Sequence, residues 1–106
     1  MADDHCSGGM CPADKTMKLI GGKWKVPILY FLWNGTRRFG ELKASLPEAS
    51  PKVLTEHLRQ MEADGLLTRK IYAEVPPRVE YSLTARGRSL KPVVDAMVKW
   101  AKGERK

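Results

Sequence analysis

Residues that build metal centres, disulfide scaffolds and membrane spans are scarce in this chain. Its 106 residues include two cysteines and two histidines, too few for a disulfide framework. His5 and His57 stand far apart, and neither belongs to a nucleophile or metalloprotease motif. His5, Cys6 and Cys11 are ligand types, but their spacing on an aperiodic stretch is poor for a metal site, so no metal or other cofactor is expected. No apolar run approaches the roughly 20 residues that cross a bilayer. The opening MADDHCSGGM carries acids where a secretory signal carries positive charge. A cytoplasmic protein without a membrane partner follows, its thiols reduced at rest. No internal repeat, low-complexity tract or catalytic constellation appears, so an enzyme is the least expected class.

What the chain has is positive charge. A formal net charge of +7 and a pI near 9.7 favour a polyanionic partner such as nucleic acid. The first fourteen residues are acidic, with Asp3, Asp4 and Asp14 and no Lys or Arg. Lysines 15, 18, 23 and 25 follow with no acid among them, and the sequence from Arg78 onward is strongly basic. The middle is only mildly positive, so the basic segments surround it.

That middle holds the most informative stretch, SPKVLTEHLRQMEADG, residues 50–65. Ser50 is a helix N-cap, Pro51 suits the first helical position, and Gly65 can end the helix in the left-handed conformation. Leu54, Leu58 and Met61, widened by Val53, form an apolar stripe. Lys52, Thr55, Glu56 and Arg59 lie opposite, all able to reach a neighbouring surface. A short helix buried on one side and polar on the other suits the DNA major groove; an ordinary solvated surface helix has the same pattern. His57, at the border of the stripe, reads as a partly covered packing residue.

The rest of the chain supplies a frame. Residues 1–11 are aperiodic and read as a flexible N-terminal arm, leaving one domain over residues 12–106. A short helix with Met17, Leu19 and Ile20 ends at Gly21-Gly22. A second begins near Lys23-Trp24, admits Pro27 in its first turn, and carries Ile28, Leu29, Phe31, Leu32 and Trp33, the centre of the core. Arg37-Arg38-Phe39 reads as extended, and residues 40–46 as about two helical turns. Residues 47–49 then turn into the Ser50 helix, which makes a helix-turn-helix. Beyond Gly65 the period becomes two. LLTRKIY and RVEYSL read as strands of a hairpin around the proline-broken AEVPP, with Val79, Tyr81 and Leu83 inward. Thr84 caps a last helix running through Arg86 to about Lys102. Its apolar face, Leu90, Val93, Val94, Met97 and Trp100, is broad enough for a homodimer interface, with packing onto the chain's own core as the alternative.

With these residues placed, the sequence resembles the HxlR-type winged helix-turn-helix regulators, relatives of the MarR regulators. The likeness rests on IGGKW at residues 20–24, Arg38-Phe39 with Glu41-Leu42, SPKVLT at residues 50–55, Asp64-Gly65-Leu66, VPPRVEY at residues 75–81, and Trp100, in that order. The sequence departs from the family pattern at Glu48-Ala49, where Gly and Ile are more usual, which bears on the geometry of the turn. The resemblance implies an α+β, mostly helical fold: a winged helix-turn-helix with a two-stranded wing and flanking dimerisation helices. It also implies a homodimer on double-stranded DNA at a near-palindromic operator. A cysteine before the first helix senses oxidants or electrophiles in several relatives, and Cys11-Pro12 occupies that place, with Cys6 nearby as a second thiol. A helix N-terminus and lysines stabilise a thiolate; an unreactive cysteine is the alternative.

On this reading Ser50, Lys52, Thr55, Glu56 and Arg59 face DNA, and Arg or Lys pairs with guanine while Glu accepts from cytosine. Glu56 has the alternative of pairing with Arg59 or Lys52. Arg37, Arg38, Lys70 and Arg78 are candidates for phosphate. Two other functions share the fold class: a winged-helix protein-interaction module and a non-specific architectural DNA binder. The polar outer face argues against the first, and equal affinity for all sequences is the mark of the second.

Overall fold

A computed structural model describes residues 11–103, so Cys6 and His5 lie outside the described residues. The elements run α1 (Pro12–Ile20), α2 (Lys25–Trp33), β1 (Arg37–Arg38), α3 (Phe39–Ser45), α4 (Pro51–Ala63), β2 (Leu67–Tyr72), β3 (Arg78–Leu83), α5 (Ala85–Arg88) and α6 (Lys91–Lys102). Helices α3 and α4 form the helix-turn-helix, and β2 and β3 form the hairpin.

The core is assembled from one face of each element. Ile28, Leu29 and Leu32 of α2, Leu42 of α3, and Leu54, Leu58 and Met61 of α4 are fully buried. Leu66, Leu67, Tyr81 and Leu83 close it from the sheet side, and Leu90 and Val94 from the C-terminal helices. Aliphatic side chains of this kind each stabilise the fold by about 1.5–3 kcal/mol when withdrawn from water.

Both ends of α4 behave as their residues demand. The Ser50 hydroxyl accepts the Val53 N–H at 3.1 Å. At the far end Gly65 takes φ 79°, and two bonds close the helix: Leu66 N–H to Met61 O at 2.9 Å and Gly65 N–H to Glu62 O at 3.0 Å. That pairing satisfies carbonyls the helix leaves open, and it swings Leu66 inward above Met61. Helix α4 is thereby fixed in length and direction at both ends.

The sheet has three strands in the order β1-β3-β2, all antiparallel. The hairpin appears as the alternation requires, and Arg37-Arg38 adds a short third strand opposite Tyr81 and Glu80. Only Leu67 of β2 is buried, because the strand runs out past the core and leaves Ile71 exposed.

The last helix differs from the sequence reading. It breaks into α5 and α6 at Ser89-Leu90. Pro92 has no N–H to give to Arg88, so one helix cannot run through. A second correction follows from where the break aims the side chains. Leu90 and Val94 turn into the chain's own core, whereas Val93, Met97 and Trp100 stay exposed, Trp100 at 84%. The outward face therefore lacks two of its five expected members. Gly87, within α5, has no room for a side chain: a Cβ there would overlap the Leu66 carbonyl oxygen.

Candidate nucleic-acid interface

The turn between α3 and α4 is held by backbone and side chain together. Ala49 N–H bonds Leu46 O at 3.1 Å, and Lys43 Nζ reaches Pro47 O at 3.0 Å. Ala49 is buried and Glu48 is exposed. The small side chain thus fills the place inside the turn, and the extra negative charge stays in water. Lys43 went unnoticed in the sequence; its spacing of four from the helix-ending Pro47 was the available signal.

On α4, Lys52, Glu56 and Arg59 project to solvent and Thr55 is half-buried beside them. None of the three charged side chains forms an ion pair with another described residue, so the alternative pairing of Glu56 with Arg59 or Lys52 is not adopted. Their spacing of three and four places them on one side of the helix. Polar groups held on a rigid helix and unpaired are free to bond base edges. Ser50 is exposed as well, with its hydroxyl engaged in the cap.

The arginines beside this face divide into free and committed groups. Arg38 is exposed at the start of α3, where its backbone N–H donates to Glu41 Oε1 at 2.8 Å. Arg37 is half-buried and its Nε donates to Phe31 O at 3.2 Å, closing the end of α2. Arg69 lies against Glu62 at 3.6 Å, tying β2 to α4. Burial raises the pKa of Tyr81 above its usual value; Arg69 opposes this, Glu62 adds to it, and Arg59 opposes it weakly. The Tyr81 hydroxyl thus lies within reach of charges from both α4 and β2. Lys70 is exposed with its Nζ 5.0 Å from the Tyr72 ring. Arg78 is only 25% exposed and is paired with Glu74 at 3.1 Å and Glu80 at 3.5 Å.

Behind the face, His57 is half-buried as the sequence suggests, with its Nδ1 buried and lacking a hydrogen-bond partner among the described residues. Its pKa is lowered from 6.5, first by burial and then by the charge of Lys25, with Glu56 opposing. A depressed histidine leaves the folded state with fewer protons than the unfolded chain at acid pH. Stability from this site is complete above about pH 6.5, where both states are neutral, and declines as pH falls below the unfolded value. The melting temperature of the native protein should therefore drop more between pH 7.5 and 5.5 than that of His57→Gln. Equal drops would show that His57 does not titrate differently on folding.

At the N-terminal side, Cys11 is half-buried at the N-cap of α1, and its carbonyl accepts the Lys15 N–H at 3.1 Å. Among the described residues no group of three potential ligands could hold a metal ion. No helix among them is long and apolar enough to cross a membrane.

A helix-turn-helix with an exposed polar second helix, followed at once by a hairpin, matches one family over most of the chain. The HxlR-like helix-turn-helix family covers residues 19–106. This chain belongs to that family. It is 49% identical over 90 residues to the HTH-type transcriptional regulator YkvN of Bacillus subtilis, covering 85% of this chain and 76% of the relative. Among solved structures it is similar to the redox regulator HypR in its oxidised form, at 44% identity and TM-score 0.81, covering 91% of this chain and 99% of that one. The reduced form of YodB from B. subtilis is similar at 34% identity and TM-score 0.77, covering 88% and 92%. The HxlR-like protein described here is accordingly a transcriptional regulator with a helix-turn-helix and not an enzyme. Its fold is the winged form, mostly helical with a three-stranded antiparallel sheet.

Proposed function

We propose that this HxlR-like regulator binds a near-palindromic operator as a homodimer, with α4 of each subunit in the major groove. The observation that carries this reading is the unpaired set Lys52, Glu56 and Arg59 on one side of a helix capped at both ends. Thr55 lies between them with a methyl suited to thymine. Arg38 and Lys70, exposed on either side, supply phosphate contacts that fix register without reading sequence. Met17 of α1 and Val93, Met97 and Trp100 of α6 leave apolar surface uncovered, as an isologous interface needs.

The test is selection from a pool of random duplexes with the full chain. Enrichment of a two-fold sequence with half-sites about one helical turn apart supports the proposal. Recovery without any preferred sequence would mark an architectural binder, and no recovery would favour a protein-interaction module.

Control by thiol oxidation or by an electrophile is the second part of the proposal. It is supported by the position of Cys11 at the start of α1 and by the likeness to a redox regulator. Cys6, outside the described residues, is the candidate second thiol. Oxidation joining Cys11 to Cys6, or to a partner subunit, would change the spacing of the two reading helices. Diamide should release the native protein from the selected duplex and leave Cys11→Ser bound; release of both alike would remove Cys11 from the role.

A further inference from the structure

The sequence offers Arg78 as a phosphate contact at the tip of the wing, but its surroundings fit a different task. Register places Arg78 opposite Tyr72 and Glu80 opposite Lys70 on the two strands, so these four residues share one face of the hairpin. The Arg78 guanidinium carbon lies 4.0 Å from the centre of the Tyr72 ring. One Nη faces Glu74 at 3.1 Å and Nε faces Glu80 at 3.5 Å. One side of the guanidinium is therefore covered by an aromatic ring and two carboxylates lie within ion-pairing distance, the Glu80 contact being electrostatic because the buried Nε has no hydrogen-bond partner among the described residues.

The segment it spans cannot hold itself. Residues 73–77 include Pro76 and Pro77, which have no N–H for a ladder. The backbone bond there is Glu74 N–H to Tyr72 O at 2.9 Å. The Glu74–Arg78 pair closes the loop over these prolines and leaves Val75 fully exposed at its end. From Lys70 to Glu80 the two cations, Lys70 and Arg78, are matched by the two acids, Glu74 and Glu80. The outer part of the wing, from Lys70 to Glu80, therefore offers DNA no net positive charge, and Arg69, the further cation of β2, lies against Glu62 of α4.

We infer that Arg78 is a positioning residue, bracing the wing from within, and that the wing meets duplex DNA through Lys70 and the Val75-Pro76-Pro77 edge. This rests on the DNA reading proposed above. The two possible roles of Arg78 predict opposite signs for one experiment. If Arg78 braces the wing, removing the charges of Glu74 and Glu80 loosens it and weakens binding, although two negative charges leave the neighbourhood of phosphate. If Arg78 is a phosphate hand held back by its acids, the same change frees it and strengthens binding.

The variants are Glu74→Gln/Glu80→Gln and, separately, Arg78→Lys, which keeps the charge but loses the planar fork. Each is titrated with the selected duplex over a range of salt, and amide hydrogen exchange of residues 71–79 is followed without DNA. The expected result is faster exchange in both variants, affinity lower by about fivefold, and a salt slope like that of the native protein. Tighter binding by the double variant, with a slope steeper by about 0.9, would overturn the inference, as would unchanged exchange in Arg78→Lys. Should the native protein prefer no duplex, the role of α4 falls, while the exchange measurement still decides whether Arg78 braces the wing.

Discussion

Leu58→Ala is expected to destabilise the fold by about 2–5 kcal/mol, lowering the melting temperature by roughly 10 °C or more. Leu58 is 1% exposed and sits between Leu54 and Met61 on the inward stripe of α4. The neighbouring elements are held in place by features the substitution leaves alone: the Ser50 cap, the closing turn at Gly65 and the bond from Arg37 to Phe31. The site therefore collapses poorly around the missing atoms, and a cavity adds to the lost burial. The consequence for function is indirect but large. A domain with about 5–15 kcal/mol of total stability gives up much of it in one change, and the reading face loses the support that aims it. Thermal melts of the two proteins decide the matter. A shift of only a few degrees would mean that α4 is anchored chiefly by its ends and not by its stripe.

The same helix shows how much of the molecule was legible in advance. Ser50, Pro51 and Gly65 act locally through a cap, a fixed φ and a left-handed turn, so residues 50–65 could be read directly from the sequence. Period also divided α4 correctly, because Leu54, Leu58 and Met61 are buried and Lys52, Glu56 and Arg59 are not. On the last helix the Thr84 cap is found, but period does not decide between the two partners open to the apolar face. The line through Leu90, Val94 and Met97 is real, yet Pro92 breaks the helix, and α6 is aimed so that Leu90 and Val94 meet the core. Periodicity finds a face and does not say what it faces.

Features that depend on distant partners were not legible. Two residues, Arg37-Arg38, become a strand only because Tyr81 and Glu80 lie alongside. Arg37 and Arg78 look like any exposed arginine in the sequence, and only the folded chain shows one engaged by Phe31 O and the other by Glu74, Glu80 and Tyr72. The hairpin register, once drawn, does place Tyr72 opposite Arg78, and that pairing was the available clue to the brace.

Arg59 carries the central claim, that α4 reads sequence, and its removal has the most specific expected effect. The side chain is exposed, has no ion-pair partner among the described residues, and stands three and seven positions beyond Glu56 and Lys52 on the same side. Beyond a weak effect of its charge on Tyr81 it supports no contact among the described residues, so stability should change by less than about 0.5 kcal/mol. A bidentate contact to guanine, by contrast, is worth about 1–3 kcal/mol of discrimination. The decisive measurement is a pair of anisotropy titrations of Arg59→Ala, one on the selected duplex and one on random DNA at the same salt. Affinity for the selected duplex should fall by about 5- to 150-fold, with little change on random DNA. An equal loss on both would show that Arg59 touches phosphate and that the outer face of α4 does not read bases through it.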